Sequence, residues 1–278
     1  MELSGKTALV TGAAGGLGRA ISKGLIAAGA RVMATDVSDV GLATLAKDFA
    51  AKDLITRKLD IADHTACEAA VADAQKQMGH LDILINNGAL GMGAIRDDHM
   101  TNLVGIEEIT PELWDKFVRI NLSGAWYLTR AAVPGMKARR SGRIVTVTTS
   151  MFTMLRGKFH PYGPSKAALE AMSAGHAQEF MAEGITVNVV VPGGPADTAM
   201  VPEVSGYKRA DLIPPAAMVP PIVWLCSDAG ASITGNRYIA AEWNAGRTLA
   251  ANRAAAEAPI GWPSLAGAPV WPGGKPKA

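Results

Sequence analysis

Tyr162 and Lys166 stand four residues apart in the run Tyr162-Gly163-Pro164-Ser165-Lys166. On a helix their side chains share one face, about one turn from each other. An ordinary tyrosine titrates at about 10, and a neighbouring ammonium stabilises the phenolate and lowers that value. Tyr162 could then exchange a proton with an alcohol near neutral pH. The start of any amphipathic helix can supply the same pair, so its meaning depends on what the rest of the chain provides.

Near the N-terminus, Thr11-Gly12-Ala13-Ala14-Gly15-Gly16-Leu17-Gly18 follows a β-like run and opens an apolar helical pattern. Without side chains, the backbone at Gly12, Gly16 and Gly18 can approach a pyrophosphate at a helix N-terminus, where free amides and the helix dipole hold phosphate. Asp36 ends the next β-like run, 18 residues after Gly18. A carboxylate there can accept hydrogen bonds from both hydroxyls of an adenosine ribose and would repel a 2′-phosphate. No Arg or Lys lies in the glycine turn or directly after Asp36, so the expected cofactor is NAD. Its positive nicotinamide ring would add to the stabilisation of a Tyr162 phenolate.

Short β-branched runs alternate with Ala-rich stretches of helical period, the pattern of βαβ units and a parallel sheet covered on both faces. The expected class is α/β. Strands are expected at 6–11, 31–35, 54–59, 82–86, 143–149, 185–191 and 236–241, and helices at 15–29, 41–51, 63–78, 111–139, 163–183 and 216–228. Residues 90–108 form a long connection, and long connections in compact domains are often functional. Residues 1–244 read as one catalytic domain. Residues 245–278, rich in Ala and Pro and holding Trp262 and Trp271, read as an appended tail that packs on the domain or on a neighbouring subunit.

The 278 residues are 49% hydrophobic and carry 27 Lys and Arg against 25 Asp and Glu. A near-zero balance gives no electrostatic reason to expect nucleic acid or an anionic membrane as partner. Cys67 and Cys226 lie far apart in no metal-ligand spacing, so buried thiols are expected and no metal. The start of the chain lacks the basic and apolar regions of a signal peptide, and no apolar run is long enough to span a bilayer. The expected location is the cytoplasm.

The glycine turn, Asp60-Ile61, Asn86-Asn87-Gly88-Ala89, Asn121 and the Tyr162 to Lys166 run, in this order and spacing, resemble the short-chain dehydrogenase/reductase family over residues 4–244. The resemblance implies a single Rossmann-type, doubly wound domain with seven parallel strands, usually a homodimer or homotetramer. It implies that Gly12, Gly16, Leu17 and Gly18 cradle the cofactor, that Asp60 and Ile61 contact the adenine, and that Asn87 and Gly88 line the cofactor. The family more often has Ala before Gly after the two asparagines, so a local backbone adjustment is expected there. It also implies a hydroxyl after the fifth strand that orients the substrate oxygen. The family's serine position is Thr149 here, and Ser150 is the alternative if the strand ends one residue differently. By the same resemblance, Asn121 holds through its backbone a water that links Lys166 to solvent, and Lys166 also holds the nicotinamide ribose. Pro192, Gly193 and Thr198 resemble the segment that binds the carboxamide, with one extra residue in the spacing, and 200–212 would be a short lid.

Met92, Met151, Phe152, Met154, Phe159, His160 and Met200 are expected around the nicotinamide face, a mostly apolar and adaptable set. Arg96, Arg156 and Lys158 could reach an anion, although no paired basic residues stand out. The expected activity is hydride transfer between NAD and a moderately hydrophobic secondary alcohol or ketone, with Asn121, Thr149, Tyr162 and Lys166 catalytic. Two other readings stand beside it: an idle NAD-binding sensor or scaffold, and an epimerase or dehydratase that retains its NAD.

Overall fold

Thr7–Thr11, Ile83–Asn86, Gly142–Val147 and Ile185–Val191 are buried at every position, as strands must be when helices cover both faces of a parallel sheet. The computed structural model describes residues 3–264. Its strands are β1 (Thr7–Thr11), β2 (Arg31–Asp36), β3 (Leu54–Lys58), β4 (Ile83–Asn86), β5 (Gly142–Val147), β6 (Ile185–Val191), β7 (Asn236–Ile239) and β8 (Glu257–Pro259). They form one sheet in the order β3-β2-β1-β4-β5-β6-β7-β8. All neighbours pair in parallel except β7 with β8.

The helices are α1 (Gly16–Ala27), α2 (Asp39–Ala46), α3 (His64–Met78), α4 (Pro111–Val118), α5 (Gly124–Arg139), α6 (Met151–Leu155), α7 (Tyr162–Phe180), α8 (Val219–Cys226) and α9 (Leu249–Ala256). Successive strand residues point to opposite faces, and this divides the core. Ala8, Val10, Ile83 and Ile85 pack with α1, α2 and α8, whereas Leu9, Leu84 and Ile144 pack with α3, α5 and the end of α7. Cys67 and Cys226 are buried free thiols, one in each layer.

The sheet departs from the sequence expectation in number and bounds. It has eight strands, not seven, because the segment read as a tail contributes α9 and the antiparallel β8. Asn244 and Asn252 close the connection between β7 and α9 reciprocally: Asn252 Oδ1 accepts from Asn244 N at 2.8 Å, and Asn252 Nδ2 donates to Asn244 O at 2.9 Å. Trp271 lies outside the described residues. The expected helix 111–139 is divided by a π turn at Arg119–Ser123. The expected helix 216–228 starts only at Val219, where Pro220 and Pro221 occupy its first turn and lack the N–H a helix interior needs. The strand expected to reach Thr149 ends at Val147. Among the described residues no helix is long and apolar enough to cross a membrane.

Candidate active site

Chain order reverses between β1 and β4, so the crossovers leave this point in opposite directions and a crevice opens beyond the strand ends. A cleft of about 610 Å³ lies there. The two turns that form its floor are tied together. Thr11 Oγ1 donates to Ile85 O and accepts from Asn87 N at 3.0 Å and Gly88 N at 2.9 Å, while Asn87 Nδ2 donates to Thr11 O at 2.8 Å. Gly12 has φ +63°, and a Cβ on it would lie 2.8 Å from Gly88 Cα. The reversed Gly88-Ala89 order therefore sets the residue without a side chain against Gly12.

Helices α2, α3 and α4 begin with a side-chain cap from Ser38, Asp63 and Thr110. By contrast, Gly15 at the cap position of α1 offers none. The first amides of α1 are left for another acceptor, and Gly15, Gly16, Leu17 and Gly18 all line the cleft. A Cβ on Gly16 would lie 2.6 Å from Thr198 Cγ2, so Thr198 covers this turn from the segment after β6. A Cβ on Gly18 would strike Gly12 O, a requirement of the turn itself. Backbone amides at a bare helix start, roofed by Thr198 and without side-chain bulk, fit a dinucleotide pyrophosphate.

Asp36 lines the same cleft. Its Oδ2 accepts from Ala14 N at 3.0 Å and its Oδ1 from Ser38 N at 2.9 Å. The cap of α2 is Ser38, which accepts from Gly41 N, so Asp36 is not serving as a helix cap. Lys58 pairs with Asp36 in the β2–β3 register, but its ammonium is held by Asp39 at 2.6 Å.

Tyr162 opens α7 at the other end of the cleft. Burial pushes its phenol up to about 12, and a hydrogen bond with Thr149 pulls weakly the other way. Burial also drives Lys166 down to about 8, while its Nζ donates to Val147 O at 2.9 Å. In the protein alone, then, burial outweighs the activation expected from the neighbouring ammonium. Ser150 is engaged elsewhere: it caps α6, accepting from Thr153 N at 3.1 Å, and lies 2.8 Å from the Thr153 hydroxyl. The hydroxyl beside the phenol is that of Thr149.

Below this pair lies a charged support. Glu170, fully buried one turn after Lys166, pairs with Arg237 of β7 at 2.9 Å and accepts from the Thr148 hydroxyl at 2.7 Å. Arg237 Nη2 also donates to Thr149 O at 3.0 Å, so the ion pair holds both the Thr148 side chain and the Thr149 carbonyl. Asn121 stands in the π turn between α4 and α5. Its Oδ1 accepts from Leu90 N at 2.7 Å, and its Nδ2 donates to Leu90 O at 3.0 Å and to Ser165 Oγ at 3.1 Å. The amide is thus spent bridging the loop after β4 to α7.

Of the residues expected at the site, Gly12, Gly16, Leu17, Gly18, Asp36, Asn87, Gly88, Thr149, Tyr162, Lys166, Pro192, Gly193 and Thr198 line one cleft. Asp60, Ile61 and Asn121 do not. Asp60 accepts from Ala62 N, and Ile61 is packed between Gly88 and Gly124. Met92, Phe152, Phe159 and Met200 line it, whereas Met151, Met154 and His160 do not. His99 and Met100, from the long connection 90–108, and Tyr207, from the segment expected as a lid, line the cleft as well. His99 is buried with Nδ1 3.1 Å from Arg96 O; a carbonyl only accepts, so Nδ1 carries the proton. The segment expected as a lid is held down by Arg209, which donates to Thr198 O and Val201 O, and Met200 leans over Gly91.

Residues 6–208 match the short chain dehydrogenase family. Over 247 residues the chain is 33% identical to the 3-oxoacyl-acyl-carrier-protein reductase FabG of Escherichia coli K12, covering 84% of this chain and 95% of that protein. It is 29% identical to the D-beta-hydroxybutyrate dehydrogenase of Cupriavidus necator over 214 residues, covering 76% and 79% of the two chains. A solved structure from Sinorhizobium meliloti 1021, assigned to the short-chain alcohol dehydrogenases, superposes with a TM-score of 0.75 at 31% identity, covering 86% of this chain and 96% of that one. The chain belongs to the short chain dehydrogenase family and is an oxidoreductase of that family, whose members work with a nicotinamide cofactor.

Proposed function

We propose that the protein is an NAD-dependent dehydrogenase or reductase acting on a secondary alcohol or its ketone. The observation that carries this reading is the convergence, in one cleft, of an uncapped glycine turn and Asp36 at one end with Tyr162, Thr149 and Lys166 at the other. A bound nicotinamide would give or accept the hydride and, when oxidised, bring a positive charge to the Tyr162 end. The chain's part is to orient and to move the proton. Thr149 donates to the substrate oxygen, and Tyr162 takes the hydroxyl proton during oxidation or gives one during reduction. Lys166 supplies the positive field that favours the phenolate.

The preference for NAD rests on Asp36. Its carboxylate would meet a 2′-phosphate with like charge, and the neighbouring Lys58 is neutralised by Asp39. Exposed Trp114 on α4 and Trp126 on α5 provide apolar surface that a homodimer or homotetramer would cover.

The test needs no substrate: nicotinamide fluorescence is followed while the purified protein is titrated with NADH and with NADPH. Tight NADH binding with weak NADPH binding is expected. Equal or tighter binding of NADPH would overturn the assignment of NAD, and binding of neither would overturn the oxidoreductase reading.

A further inference from the structure

Three cations lie near the mouth of the cleft, and the fold gives them different work. Arg96 donates to Glu108 Oε2 at 2.7 Å and to Asn102 O at 2.8 and 3.2 Å. Glu108 is held below the usual carboxylate range, first by the Gly105 N–H, with the charges of Arg96 and Lys158 adding to it. Arg96 and Lys158 therefore both answer Glu108, outside the cleft. Arg156 does not. It sits half-buried in the cleft wall, its guanidinium 4.7 Å from the ring centre of Phe159 and 5.8 Å from that of Phe152.

Among the described residues no carboxylate lies within 4 Å of Arg156 and no protein acceptor takes one of its hydrogen bonds. A guanidinium carries five donors in a planar fork matched to carboxylate geometry. Phe159, and at greater distance the largely exposed Phe152, face the guanidinium with their rings and favour its position without neutralising it, and a charge-assisted contact from it is stronger than one between neutral groups. The charge distribution of the cleft points the same way. Among the described residues, Asp36 at the glycine-turn end is the one carboxylate that lines it, whereas Lys166 and Arg156 both lie in the half that holds Tyr162. Met92, Met100, Met200 and Tyr207 also line the cleft, with His99 among them.

We infer that Arg156 anchors a carboxylate carried by the substrate, so that the compound turned over at Tyr162 is a hydroxy acid or the corresponding oxo acid with an apolar chain. The inference deepens the proposed oxidoreductase reading and rests on it. Arg156 follows the last residue of α6, and five helical residues span about 8 Å. The anchor thus stands away from the hydroxyls at the end of β5, and the aliphatic chain of the acid bridges the two.

The probes are hydroxyalkanoic acids of three to eight carbons, each compared with its own methyl ester, assayed with NAD and the full chain. The expected result is a kcat/KM about 10- to 100-fold higher for the best acid than for its ester, the size of one charge-assisted contact. Arg156→Met should remove that advantage by raising KM for the acid, leave ester turnover within about twofold, and leave the NADH Kd unchanged; Arg156→Lys should restore part of it. Equal turnover of acid and ester by the unaltered protein would overturn the anchor, as would a loss of both alike in Arg156→Met.

If none of the alcohols turns over, the same contrast is read as binding of alkanoates against their amides to the NADH complex, where equal binding overturns the anchor. Failure of the underlying reading looks different. There, NADH does not bind and neither series is turned over.

Discussion

The phenol of Tyr162 and the ammonium of Lys166 are displaced in opposite directions by one cause, burial, to about 12 and about 8. In the proposed reaction, a phenol held that high needs a positive charge beside it to give up its proton near neutral pH. Replacing Tyr162 by Phe should lower kcat by at least about 100-fold, the usual range of a lost general acid–base group, while the NADH Kd measured by fluorescence stays within about threefold. A variant retaining more than a tenth of its rate would contradict the role. Thr149→Ser should remain active and Thr149→Val should not. Ser150→Ala should keep the rate and lose about 1 kcal/mol of stability with the α6 cap. The spacing of Tyr162, Lys166, Asp36 and the glycine turn was legible in the sequence because local periodicity places all of them. The choice between Thr149 and Ser150 was not, because it turns on α6, whose five residues leave no periodic trace. Nor was the distinction of Arg156 from Arg96 and Lys158 legible, since Glu108 is 48 residues before it in sequence and settles the matter only in space.

At the scale of elements, the catalytic end depends on how α7 and β7 are joined beneath it. Glu170 and Arg237 are both buried, and between them they hold the Thr148 hydroxyl and the Thr149 carbonyl. Removing one partner leaves a buried charge uncompensated, which costs about 3–5 kcal/mol. Arg237→Met should therefore lower the midpoint of chemical denaturation strongly, and the double variant Glu170→Met with Arg237→Met should recover most of that loss. Recovered stability should not bring back the rate, because Thr149 O would still lack its donor. A double variant as active as the unaltered protein would show that the ion pair serves stability alone. The strands and long helices were legible because continuous apolar runs and 3.6-residue periods mark them. The π turn at Arg119–Ser123 was not, because the extra residue leaves the apolar pattern of 111–139 nearly unbroken while turning Asn121 toward Leu90 and Ser165.

In the molecule as a whole, strand order fixes where chemistry can happen, since the reversal between β1 and β4 opens a crevice that both the glycine turn and α7 reach. The opposite edge of the sheet is closed by the chain's own later residues, and alternation could not forecast this because α9 and β8 depend on a polar hook. Glu257 accepts from Tyr238 OH at 2.8 Å and takes a bidentate contact from Arg253 at 2.5 and 2.8 Å, beside the aromatic cluster of Trp224, Tyr238 and Trp243. The Arg253 contact, with Tyr238 assisting, holds the Glu257 carboxyl below its ordinary value. A carboxyl lowered in the folded state contributes stability that is complete above its unfolded value, about 4.3, and is lost as pH falls through the folded one. Glu257→Gln should therefore melt below the unaltered protein at pH 6 to 7, and the gap should close as pH falls below about 4. Thermal denaturation of the two proteins across that range measures the gap directly. A constant difference would assign the contribution of Glu257 to shape instead of charge, leaving the aromatic cluster to hold β8 on the sheet edge.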